Sequence, residues 1–314
     1  MLIGNREDRF ESGCQKARAS FLASGFMYRV YEMIHNNPSL LASPLSPRGE
    51  NVLYNSAPDA YIFKVKKWHQ SNFDSVTKAL EEAGKQLRNT IAKTDDENLE
   101  LTFTRLYSMI MGIWIESRIH VLLYENKAFT ELERAIIYNK NSLEDKWNTA
   151  LIIAVKKSVR LPLEDELTED NCDFSIYNIY KKISGWINKY FSETITYRNK
   201  IAHGQWIYPF TSQPHNWENS SDFKISSEIS KGILIRYENF LSITERGKLL
   251  KAICAAINNL ATQRRRDYKV QDFNVHFQII SRHINKLSKI NYEEYRNDTR
   301  QSYLAQQQKN IHTP

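Results

Sequence analysis

The stretch YRNKIAHGQW, residues 197–206, gathers an arginine, an asparagine and a histidine within six positions. A guanidinium presents a planar fork of donors that matches two oxygens of a phosphate. An imidazole gives or takes a proton near neutral pH. Arg198 and His203 are therefore the residue types that grip a phosphodiester and move protons around it. Their five-residue spacing separates them by about 140° on a helix, so the long arginine has to swing back toward the ring. Asn199 and His203 are four apart and share a face. Gly204 is the residue type that ends a helix in a left-handed position, which puts His203 in the last turn. The plainer reading is a helix end with a solvated arginine and a surface histidine, since short motifs match by chance in many helical proteins.

The elements that would carry these residues are helical. The 314 residues are 41% hydrophobic and 25% charged, the balance of a folded soluble protein, and hold only ten glycines and eight prolines. Long uninterrupted stretches remain, which favours helices over a turn-dense β fold. Residues 14–34 carry apolar groups at helical spacing, and Pro38, Pro44, Pro47 and Pro58 then forbid a continuous helix. Residues 71–93 read as an amphipathic helix capped by Ser71 or Asn72. Before it, AYIFKVKKW at 60–68 is the one strand candidate. After the acidic linker at 94–98, the run between Leu106 and Leu123 is apolar nearly all round and predicts a central buried helix. Thr130 and Glu133 have capping-box spacing, and Ser142 is a further cap. The helix over 175–204 carries a stripe of Ile176, Ile179, Ile183, Trp186, Ile187 and Tyr190 and ends at the motif. A polar loop at 204–223, a helix over roughly 224–262, a short helix near 272–290 and a disordered Gln-rich end complete the chain. The fold class is all-α.

The residues RNKIAHG resemble the signature of the HEPN superfamily, an Arg, a polar residue, a short spacer and a His, here with Asn after the Arg and Gly after the His. The setting is similar too: a motif late in a long helix, preceded by an apolar helix with one acidic position, here Glu116 in GIWIESRIHVLLYE. The resemblance covers roughly residues 100–262. It implies a HEPN-like helical bundle spanning 96–262; outside it, residues 1–95 read as a mostly helical N-terminal extension of no assigned role, and 263–314 as a basic segment, short helix and polar tail. It also implies metal-independent RNA cleavage by a homodimer whose two motifs face one another, in a toxin or anti-phage defence component. An antitoxin or other defence-system protein would then be a further partner. Chemistry agrees, because attack by the RNA 2′-OH needs a base, an acid and a cation on the phosphate, and one histidine cannot easily be base and acid in the same step. Arg198, Asn199, His203 and Glu116 are the expected catalytic set. Glu116 pairs either with Arg118 or with Arg198, because an unpaired buried carboxylate is costly. The alternative function is a non-catalytic HEPN-like module that binds RNA, a nucleotide or a protein.

Other features narrow the classes. A net charge of +7 is compatible with nucleic acid as a partner. Arg264, Arg265 and Arg266, with Lys200 in the motif, are the candidates for RNA phosphate contacts. His120, four after Glu116, is expected to pack. His276 and His283 are seven apart, unlike helical metal ligands, and there is no P-loop, no GxGxxG and no cysteine-based zinc site. No cofactor and no metal are expected. Cys14, Cys172 and Cys254 form no pair motif, which suggests a reducing compartment. With a polar N-terminus and no apolar run long enough to span a bilayer, a cytoplasmic protein without membrane contact is expected.

Overall fold

The computed structural model describes residues 59–211, 224–225, 238–262 and 270–311. Among them the chain is all-α, with a single isolated bridge between Phe210 and Ile225 in place of any strand. The elements are α1 (Asp59–Lys93), α2 (Glu97–Leu123), α3 (Glu131–Tyr138), α4 (Leu143–Val159), α5 (Phe174–Trp186), a π-helical turn (Ile187–Phe191), α6 (Ser192–Ala202), α7 (Phe240–Thr262), α8 (Val270–Leu287) and α9 (Tyr292–Ile311). The expected helix at 14–34 and the basic run 264–266 lie outside the described residues.

Two apolar helices, α2 and α7, form the middle of the bundle. Asp96 caps α2 by accepting from Leu99 N at 3.0 Å, and Glu97 and Glu100 complement the N-terminal dipole. By length and composition alone α2 could cross a membrane, but Ile115, Ile119 and Leu122 are completely enclosed by protein. Ile243, Leu249, Ile253 and Ile257 of α7 are enclosed too. Helix α1 packs along α2, where Phe73 meets Trp114 at 5.3 Å and Trp114 Nε1 donates to Thr77 at 3.1 Å. Helix α6 lies on another side of α2, and α4 and α8 lie against α7. The expected caps form: Thr130 and Glu133 make a complete capping box, and Ser142 accepts from Asp145 N at 2.9 Å.

Three expectations are corrected. Residues 60–68 belong to α1 and are not a strand, and the helix does not wait for Ser71 or Asn72. Ile62, Val65 and His69 are half-buried at helical spacing, but the exposed Tyr61, Phe63 and Trp68 fill the other face, and Tyr61, Phe63 and Val65 alternate as a β run would. Of the helix expected over roughly 224–262, residues 224–225 and 238–239 are not helical, 226–237 lie outside the described residues, and the helix runs from Phe240. The Gln-rich end forms α9, although it has almost no apolar stripe. Polar anchors hold it: Tyr292 donates to Glu100, and Arg296 Nε donates to the same carboxylate at 3.1 Å. Arg300 then donates to Ile91 O at 3.0 Å and Thr94 O at 2.9 Å, capping the open carbonyls at the end of α1. The divisions expected at 95 and 262 run through this packing, because α1 lies on α2 and α8 lies on α7.

Glu100 is the acceptor on which α9 depends. Glu100→Ala should cost about 1–3 kcal/mol, because it strands an arginine and a tyrosine in a half-closed site. Hydrogen exchange in 292–311 should accelerate while α7 stays protected. An even response across the chain would count against this mode of docking.

Candidate functional site

The long helix of the motif is interrupted at Ile187–Phe191 by a π-helical turn, so α5 and α6 are out of phase. Ile179 and Ile183 are buried before it, Ile187 at its first residue, and Thr194, Tyr197 and Ile201 after it. Without that turn the stripe read from 176 to 190 would not continue into the buried face of α6.

Helix α6 crosses α2 at Gly112. A methyl group there would overlap Arg198 Cβ, lie 2.8 Å from its Cγ and 3.4 Å from Thr194 O. The missing side chain lets the arginine stem run across α2 to Glu116, one turn further on. Arg198 Nη2 donates to Glu116 Oε2, and Nη1 donates to Asn199 Oδ1 at 2.8 Å. Arg118, the other partner considered for Glu116, instead donates to Asn258 at 3.2 Å. The pair is half-open: the Arg198 side chain is 24% exposed and that of Glu116 43%. Arg198, Asn199 and Glu116 are thus brought together. His203 caps the helix end, its N–H donating to Asn199 O at 3.1 Å, and its side chain is exposed. Gly204 takes φ +73°, the left-handed value expected at that position.

The loop after the motif is tied down. Trp206 Nε1 donates to Ile201 O at 2.9 Å, Gln205 N to Lys200 O at 2.9 Å, and Phe210 N to Gln205 Oε1 at 2.8 Å. Lys200, expected to meet RNA, is buried and donates to Phe210 O. Burial lowers its pKa from the ordinary value. It braces the loop and does not present a free ammonium to a ligand.

Beneath α6 lies a group that the sequence reading missed. Arg246 of α7 is 3% exposed and grips Glu238 with both terminal nitrogens, one at 2.9 Å. It stands 3.7 Å from Glu193 and 5.4 Å from the centre of the Tyr197 ring, both on α6. Burial opposes its charge, but Glu238 and then Glu193 outweigh this and hold its pKa above the ordinary value. Burial and the Glu193 carboxylate push the Tyr197 hydroxyl up. A scattered Glu, Tyr and Arg have no spacing that marks them as one cluster. Gly112 did leave a trace, as a lone glycine inside an otherwise large-residue buried helix.

One turn beyond Glu116, His120 packs as expected. Its ring stacks on His69 at 5.2 Å and on Tyr138 at 5.7 Å. Burial lowers the pKa of both histidines, and for His120 the neighbouring His69 adds to the fall while Glu116 opposes it. His276 instead contacts Asn259 at 2.8 Å and His283 contacts Glu245 at 2.8 Å, so the two do not converge.

Two outcomes are expected. Gly112→Ala should destabilise by about 1–3 kcal/mol, because overpacking forces α2 and α6 apart. Gly185→Ala, with nothing within 4 Å of its added methyl, should be neutral or gain up to about 1 kcal/mol. Equal effects in thermal melts would remove the special role given to residue 112. The second concerns pH. With both folded pKa values below the ordinary 6.5, the unfolded chain takes up protons first, so stability present above about pH 6.5 is lost on acidification. Replacing His69 and His120 together by Phe should flatten that loss as the pH falls below about 6.5. An unchanged slope would assign the acid sensitivity to other groups.

In comparison with known proteins, no family model, no curated protein and no solved structure matches this chain.

Proposed function

We propose that the protein is a metal-independent endoribonuclease of the HEPN type, acting as a homodimer in the cytoplasm as a toxin or anti-phage defence component. The observation that carries this reading is the fixing of Arg198 by Glu116 and Asn199 at the helix end that carries the exposed His203. The resemblance of RNKIAHG to the HEPN signature supplies the reaction, the dimer and the defence role.

In the reaction one His203 takes the proton of the RNA 2′-OH while its oxygen attacks phosphorus. The bond from phosphorus to the 5′-oxygen breaks, and a second, protonated His203 gives that oxygen its proton. The products are a 2′,3′-cyclic phosphate and a free 5′-OH. Arg198 neutralises charge gathering on the non-bridging oxygens, and Glu116 and Asn199 keep its fork in place. One chain offers one such imidazole, so a second copy has to bring the other. Ile207 and Tyr208, just past the motif, are 53% and 60% exposed and offer apolar surface for that copy.

His203→Ala should lower RNA cleavage on the order of a hundredfold or more with little change in melting temperature, because the side chain is exposed. Arg198→Ala should do the same to activity, and EDTA should not inhibit the parent protein. Mixing wild type with an equal amount of His203→Ala under full subunit exchange should leave about a quarter of the activity, since only dimers with two histidines work. A value near half would mean that each subunit works alone. Full activity in His203→Ala would defeat the catalytic reading altogether.

A further inference from the structure

Among the described residues three arginines are buried: Arg105, Arg134 and Arg246, at 7%, 6% and 3% exposure. Two have acids. Arg246 has Glu238 and Glu193, and Arg134 has Glu131 at 2.8 Å together with Phe129 O at 2.6 Å. Arg105 has neither a carboxylate nor a hydrogen-bond acceptor among the described residues; its Nε is enclosed, as are those of Arg134, Arg198 and Arg246, while its terminal nitrogens are open to water and carry no acid. The centre of the Trp206 ring lies 5.5 Å from the guanidinium carbon. Arginine keeps its charge at any physiological pH, although burial lowers the pKa of Arg105. The aromatic face offers the open fork of terminal nitrogens only part of what an anion would. An anion from outside the chain would complete the site.

Its position says which anion. Arg105 and Glu116 are eleven residues apart on α2, three turns, so they lie within about 20° on one stripe. Gly112, where α6 crosses, lies on the same stripe. Trp206 is three residues beyond His203; Ser108 and Gly112 between the two ends of the stripe are closed over by the Glu238 cluster and by α6, so a strand joining the ends passes over the outside of α6, beside the motif. Along the axis the separation is about 16 Å, which a strand crosses in roughly three to five nucleotides at about 3.4 Å each when stacked and more when extended. We infer that Arg105, beneath Trp206, is a second anion subsite that takes a backbone phosphate of the RNA strand whose scissile phosphate lies at Arg198. This rests on the reading of the His203 cluster as an RNA-cleaving site, and it makes Arg105 a residue for strand length and register, remote from the chemical step.

Binding and cleavage are measured separately to test it. A labelled 12-nucleotide RNA is titrated against the full chain carrying His203→Ala, with and without Arg105→Gln, over a range of salt. Arg105→Gln should weaken binding about tenfold and make the slope of log affinity against log salt shallower by about 0.7, the share of one phosphate contact in a single strand. Arg105→Lys should recover part of both. A dinucleotide, too short to reach, should bind equally to all three. Because the replacement breaks no ion pair and no hydrogen bond among the described residues, Arg105→Gln should melt close to its parent. A lower melting temperature with unchanged affinity and slope would make Arg105 a structural clamp and overturn the subsite. If the protein with His203 intact cuts the 12-mer and Arg105→Gln binds it normally, the subsite falls and cleavage stands. If that protein does not cut it, but Arg105→Gln still loses affinity and slope, the subsite stands and cleavage falls.

Discussion

Arg246 and Glu238 are enclosed together between α7, α6 and α2, and little water can reach the charge they share. Ser108 of α2 donates to Glu238 at 2.7 Å, so the carboxylate is satisfied from two helices at once. Glu193 and Tyr197 bring α6 to the same guanidinium. A buried pair of this kind adds little net stability over an apolar core, yet losing one partner costs about 3–5 kcal/mol. Its value is therefore geometric: apolar contacts alone would tolerate sliding of α6 along α2, and a charge cluster does not. Tyr197 immediately precedes Arg198, so the charge network fixes the helix just before the candidate site.

From that anchor the site follows by short steps. Gly112 sets how closely the two helices approach, the approach sends Arg198 toward Glu116, and Asn199 takes the remaining nitrogen. The Lys200 ammonium and the Trp206 indole then hold the loop after Gly204 against the helix end. Each of these bonds spends a polar group that the motif alone would have offered to a ligand. Among the neighbours of His203, Lys200 is the clearest case: it looks like a phosphate contact in sequence and is a brace in the fold.

What could be read from the sequence divides along physical lines. Local signals survived intact, because a cap or a left-handed glycine depends only on its nearest neighbours. Thr130 with Glu133, Ser142, and Gly204 at φ +73° are of this kind. The buried character of α2 was equally legible, since a helix apolar all round has nowhere else to go. The exposed aromatic start of α1 was not, because Tyr61, Phe63 and Trp68 face solvent and mask the helical spacing of the half-buried Ile62, Val65 and His69. Nor was α9, whose three anchors are polar and whose partners lie about 200 residues away. At the site, Arg198, Asn199 and His203 were visible as neighbours in sequence, and Glu116 as the odd acid in an apolar helix. Arg246 and the pairing of Glu238 were invisible, since nothing local marks which charges a fold will enclose.

The π-helical turn at Ile187–Phe191 gives the long helix a property beyond its shape. Each side of it is an ordinary α-helix, but the two are indexed one residue apart, like two gears meshed a tooth out of step. Taking one residue out of the turn would restore a regular helix and leave every apolar side chain of α5 in place. It would also rotate everything downstream by about 100°, carrying Arg198 away from Glu116 and His203 to a different side of the bundle. The register of the turn is thus a single-residue setting that aims the whole motif, held at a distance by Tyr190 and by Phe191 against Trp147.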